Sequence, residues 1–194
     1  EIPPKDDLPT TTPVILPSIF GVNLSRIVDF QNPEEIGAFF TLDSPSLQGT
    51  ERFERVVFIN NQTEEISELQ EALGANGLGV LMPDGFFQQI GQGDIFFYGA
   101  KAGTRLGIIA RVNQNSSLVQ MMKSWEKGAF ASFQQAFIKQ NYSGPAVSAV
   151  FRVSKTTPVF KYLTVSKQDL GICYLITDKY FILTTSFEAM EKTI

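Results

Sequence analysis

Histidine is absent from the 194 residues and cysteine occurs once, as Cys173, so any chemistry here falls to carboxylates, hydroxyls, amines and backbone groups. The missing imidazole removes the commonest general base and zinc ligand together. Cys173 lies in the apolar run "LGICYLIT", where it reads as a small core residue rather than a nucleophile, and one thiol allows no intramolecular disulfide. Ser124 and Lys127 in "SWEK" match S-x-x-K of the penicillin-binding acyl enzymes, with Lys155 to Thr157, "KTT", as a loose counterpart of K-T-G. In those enzymes the serine opens a helix, where free amides can hold an oxyanion. Ser124 falls about two turns inside an expected helix, among bonded amides, and no S-D-N accompanies it. The pair therefore reads as surface side chains.

Paired carboxylates can hydrolyse glycosides. Glu64, Glu65, Glu68 and Glu71 fall in "EEISELQEAL", with Glu64, Glu68 and Glu71 at i, i+4, i+7 spacing opposite Ile66, Leu69 and Leu73. That is the pattern of a solvated helix face. Asp6 and Asp7, or Asp84 beside Gly85, lack the alternating spacing of a calcium loop, so no structural metal and no cofactor is expected. "GANGLGV" (74–80) and "GQGD" do not link a strand to a helix, and the lysine of a phosphate loop is missing, so both read as caps and turns. Four N-x-S/T sequons, at Asn23, Asn61, Asn115 and Asn141, raise a secreted glycoprotein reading, but three lie at expected helix ends, where these residues serve as caps.

The elements that would position such groups follow from periodicity. Leu118, Met122, Trp125, Ala129, Phe133 and Phe137 recur at three- and four-residue intervals and give "SSLVQMMKSWEKGAFASFQQAFIKQ" (116–140) one apolar helix face. Such a face is expected to pack across a sheet, with Ser116 or Ser117 as N-cap and "NYSGP" as the stop. Phe130 lies off the stripe and is a candidate for partner contact. The neighbouring rings Phe86 with Phe87, and Phe96 with Phe97, raise the same question, because adjacent strand residues face opposite sides. Phe86, Phe87, Phe96 and Phe130 are the possible partner-contact residues.

"RFERVVFIN" (52–60), "DIFFYGA" and "TRLGIIARV" (104–112) read as strands, as do "AVSAVFRV", "PVFKYLTV", "LGICYLIT" and "KYFILTT". Their short connections demand antiparallel neighbours. Between them, "NPEEIGAFF" suggests a helical turn begun by Pro33, Thr63 is expected to cap a helix ending at Gly74, "MPDGFFQQIG" is a short helical piece, and Ser186 caps "FEAMEKTI". The expected fold is α+β: antiparallel sheet covered by one long helix and shorter ones. The strand, turn, strand, helix order of 94–122 and 162–190 suggests a diverged internal duplication.

Composition sets the outer bounds. The 43% hydrophobic content suffices for a full core, and a formal charge of −4 with a pI near 4.9 offers no bulk positive field to phosphate backbones or anionic lipid, so nucleic acid is not an expected partner. Residues 1–17 hold five prolines and a Thr triplet and read as an extended tether, leaving 18–194 as one globular domain. No apolar run approaches the roughly 20 residues that cross a bilayer. The chain starts at Glu1, which suggests a removed upstream signal or anchor, so the membrane is expected as a partner only through that segment.

"RLGIIARVNQNSSLVQMMKSWE", the closing "YFILTTSFEAMEKTI" and the Pro-rich lead together make residues 50–194 resemble an uncharacterised family of single-pass bacterial envelope proteins. The resemblance implies a membrane-anchored, extracytoplasmic ectodomain and carries over no catalytic residue. The function expected is a non-enzymatic interaction or assembly domain with a protein partner or cell-envelope component. An envelope polysaccharide hydrolase using carboxylates, or a structural subunit of a surface assembly, is the alternative.

Overall fold

The computed structural model describes residues 18–22, 24–40, 46–75, 79–129, 150–166 and 168–194. Eight strands form one sheet: β1 (Ser25–Phe30), β2 (Phe53–Asn60), β3 (Ile90–Ala100), β4 (Gly103–Val112), β5 (Arg152–Val153), β6 (Lys161–Ser166), β7 (Leu170–Ile176) and β8 (Tyr180–Thr184). Their spatial order is β1-β2-β3-β4-β8-β7-β6-β5. Five helices accompany them among the described residues: α1 (Pro33–Ala38), α2 (Leu69–Ala75), α3 (Phe86–Gln89), α4 (Asn115–Trp125) and α5 (Phe187–Thr193).

Both faces of the central strands are buried, which explains why β3 reads as a nearly continuous apolar run rather than an alternating one. On the first face Ile95 and Phe97 of β3, Ile108 of β4 and Phe181 of β8 meet Ile36 of α1, Leu73 of α2, Phe86 of α3, and Leu118 and Met122 of α4. On the second face Phe96, Ile109, Cys173 and Ile182 pack with Met190 of α5 and with Ile19 and Phe20, which precede β1. The chain's two described ends thus cover the second face, and four helices cover the first.

The α+β class stands, with three corrections to the details. The sheet is mixed, because β1 runs parallel to β2 while the other pairs are antiparallel. Strand β1 gave little sequence signal: it is an outer strand buried fully only at Phe30, so little alternation is imposed on it. The long helix is eleven residues: α4 follows Gln114 as N-cap and closes at Trp125, where the amides of Lys127 and Gly128 bond the carbonyls of Ser124 and Trp125 in a tightened last turn. Its expected continuation through Phe130, Phe133 and Phe137 lies outside the described residues.

The duplication is not supported. The rotation that exchanges antiparallel neighbours β4 and β8 runs along the sheet normal and keeps each face on its own side. Yet α4, which follows β4, packs on the first face, and α5, which follows β8, packs on the second. The capped turn at Ser186 does form, its hydroxyl accepting from the Ala189 amide. Pro33 likewise occupies the start of α1, with Glu34 and Glu35 in its first turn.

Candidate functional site

The segment between β2 and α2 borders two clefts. Helix α2 begins at Leu69, not after Thr63, because the Asn60 side-chain oxygen accepts from the Gln62 and Thr63 amides and bends the chain into a turn. Glu64 takes a positive φ of 58° in that turn, and Ile66 then bridges back to Ile59. The glutamates therefore do not share one helix face, and only Glu71 lies within α2.

A cleft of about 670 Å³ lies on one side of this segment, lined by Phe30, Asn60, Thr63 to Glu68 and Glu71. All four of its carboxylates come from the single stretch 64–71, and the other contributors, Phe30 and Asn60, carry no charge. A glycosidase needs acids on both flanks of the scissile bond. Ser67 donates to Glu71 Oε2 at 2.6 Å, but with no imidazole to relay the proton this is a helix-entry bond rather than an activated nucleophile. A second cleft of about 560 Å³ lies beyond Ile66 to Leu69, walled by Arg55, Gln70, Phe87, Ile90 and Gln92. Within the described residues no group of three or more metal-ligating side chains converges.

The structure separates the partner-contact candidates. Phe86 and Phe96 are each 0% exposed and are core residues, which corrects their assignment as contact rings. Phe86 is packed edge-on against Phe87 and Phe181 under α4. Phe96 is covered on the second face by Phe20, at a centroid distance of 5.1 Å, and by Phe53 at 5.6 Å. Phe87 is partly buried beside the second cleft. Phe130 lies outside the described residues. The opening part of the apolar stripe is core, with Leu118 and Met122 fully buried, while Trp125 is half-buried and donates Nε1–H to the Leu81 carbonyl at 2.7 Å.

Trp125, Phe151 and Tyr174 form a triangle of rings that invites comparison with a quaternary ammonium cage. Their centroids are 5.7, 6.1 and 5.7 Å apart, so the rings rest on one another and leave no room between them for a cation. The Tyr174 hydroxyl donates to Glu126 Oε1, which also faces Lys161 Nζ at 3.6 Å. Burial, then the bond to Glu126, pushes the Tyr174 phenol well above its ordinary range. Burial likewise raises the Cys173 thiol far above the usual thiol range, which keeps it inert.

Two further polar groups sequence reasoning missed. Asp94, 3% exposed, faces Arg55 Nε at 2.8 Å and accepts through Oδ2 from the Ser18 hydroxyl at 2.9 Å and the Ile19 amide at 2.7 Å. Asp169, at φ 54°, accepts from the Phe187 and Glu188 amides that open α5, and its own carbonyl receives Arg105 Nε–H at 3.0 Å. Burial pulls the Arg105 guanidinium below its ordinary value, with Asp169 opposing. Tyr98, fully buried, donates to Glu188, and burial followed by that carboxylate pushes its phenol up to about 12. The available signal was a charge inside an apolar strand: Asp94 before "IFFYGA", and Arg55 within "RFERVVFIN".

Exposed aliphatic side chains gather at the two outer strands. Leu24 and Ile27 are 53% and 52% exposed beside and on β1, and Val150, Val153 and Val159 are open around β5. No helix among the described residues is long and apolar enough to cross a membrane. Neither a family model, a curated protein nor a solved structure matches this chain.

Proposed function

We propose that this chain is a non-enzymatic binding and assembly domain, working outside the cytoplasm as part of a membrane-tethered envelope protein. The observation that carries the binding role is the outer strand β1, which presents Leu24 and Ile27 to solvent at one end of the sheet. An open strand edge pairs readily with another chain. The buried ionisable groups fit the same reading, since Asp94, Arg105, Asp169 and Tyr98 each fasten one part of the fold to another. The location outside the cytoplasm draws on the Pro-rich lead and the family resemblance of the sequence.

A photo-crosslinking residue at Ile27, introduced into the full-length protein in its own cells, tests this. A defined set of adducts is expected from position 27 and none from the exposed control position Asp84. Equal yields from the two positions would refute β1 as the binding edge. The hydrolase alternative is disfavoured by its one-walled acids and is checked by assaying reducing ends released from envelope polysaccharide.

A further inference from the structure

The second face is closed by a strap with the attributes of a bound peptide. Ser18 to Phe20 is fastened by two bonds to one carboxylate oxygen of Asp94, and it turns on itself, with the Phe20 amide donating to the Ser18 hydroxyl at 3.1 Å. Phe20 then lies flat on Phe96 at 5.1 Å and edge-on to Phe53 at 4.9 Å. A buried acid and an aromatic platform thus read three consecutive residues. Immediately after them Gly21 has a φ of 72° and open space around it, and by Leu24 the chain is back on the sheet, where the Leu24 carbonyl accepts from the Arg55 amide. Along the chain the strap ends only four residues before Leu24.

The surroundings identify an occupant. Ile27 pairs with Val57 and so shares a face with Arg55 and Phe53, which puts an exposed aliphatic side chain on the strap's own face, close to the hinge. A short hinge beside an uncovered apolar flank favours exchange of an identical segment between copies, because the exchanged contacts cost nothing and the flank is newly buried. We propose that the pocket formed by Asp94, Phe53 and Phe96 takes the Ser18 to Phe20 segment of a second copy of this chain, making a reciprocal dimer that covers Leu24 and Ile27. This deepens the assembly reading above, on which it rests, by naming the partner and the three residues it delivers.

Isotope-mixed crosslinking of the whole chain tests the exchange. Phe20 is replaced by benzoylphenylalanine, nitrogen-15-labelled and unlabelled chains are refolded together at high concentration, and peptides joining position 20 to β2 or β3 are analysed by mass. Mixed-isotope pairs between residue 20 and the Phe53 or Phe96 segment are expected. Isotopically pure pairs alone, at every concentration, would overturn the exchange, and adducts from position 27 to another protein would in that case still leave the binding role of β1 standing. In the unlabelled chain, Ile27→Ala is expected to weaken dimerisation on the order of 10-fold, because that side chain is exposed in the single chain and buried only in the dimer. A dimer indifferent to that substitution would equally overturn the proposal.

Discussion

Gly107→Ala is expected to destabilise the fold by about 2 kcal/mol, the opposite sign from most glycine to alanine changes. Gly107 lies directly across the β3 and β4 ladder from Phe96. A Cβ placed there would meet the Phe96 ring at 2.2 Å from Cζ, 2.4 Å from Cε2 and 2.9 Å from Cε1. Ordinary carbon contacts begin near 3.5 Å, so the ring must retreat by about 1 Å. It has nowhere to retreat, being fully buried and held between Phe20 and Phe53. Overpacking of this kind costs about 1–3 kcal/mol, and each disturbed ring pair adds about 0.5–1.5 kcal/mol. The reduced entropy of the unfolded chain offsets about 0.4–1 kcal/mol. Urea unfolding followed by circular dichroism reads the difference as a shift in midpoint at constant slope. Gly74→Ala is the control, since nothing lies within 4 Å of its Cβ position in α2, and it should stabilise by up to about 1 kcal/mol. A Gly107→Ala midpoint equal to or above wild type would refute the packing argument.

Tyr98 supplies an alkaline test. Its folded pKa is raised to about 12, above an unfolded value near 10, so the native state holds the proton longer and the stability this contributes is complete below about pH 10 and lost as pH rises toward 12. Tyr98→Phe should flatten the fall in urea midpoint between about pH 9.5 and about pH 11.5, at a cost of about 1 kcal/mol at neutral pH for the lost Glu188 bond. An unchanged pH profile would count against it. Asp169→Ala removes the acceptor of the Phe187 and Glu188 amides and should cost about 1–2 kcal/mol, with faster hydrogen exchange confined to the start of α5, whereas Asp169→Asn, keeping one acceptor, should cost less.

The legible parts of the fold were those where one covered face or one cap dominates. Strands β2, β3, β4, β7 and β8 announce themselves through apolar runs between turns, and Ser186 and Pro33 mark helix starts by mechanisms local to a few residues. Strand β1 was illegible because its partner comes from 30 residues away and its outer position imposes no alternation. Periodicity also began α2 too early: apolar spacing starts before Leu69, but the Asn60 side chain holds that stretch in a turn, and α4 closes at Trp125 in a tightened turn that spacing alone does not show. For the site, the acid-rich 64–71 stretch was visible as composition and misread as geometry. Asp94 stood out only as a charge in an apolar strand, and what Asp94 and Asp169 anchor was not legible, because their partners lie 75 and 18 residues away along the chain.

These anchors explain how the two faces differ. The first face is sealed by apolar side chains from four helices, which bind by area and have no single release point. The second face is sealed by the chain's two described ends, each fastened by one aspartate: Asp94 for residues 18–20 and Asp169 for α5. Removing one carboxylate can therefore free a whole segment on that side only. The same logic couples Gly107 to the strap. With Phe20→Ala in place the Phe96 ring gains room to move, so Gly107→Ala should cost less than in the wild type, and the double-mutant cycle should show a favourable coupling of about 1 kcal/mol. Strict additivity would mean that Phe96 relaxes toward the sheet rather than toward the strap, and the second face would then lose its claim to be the one that opens.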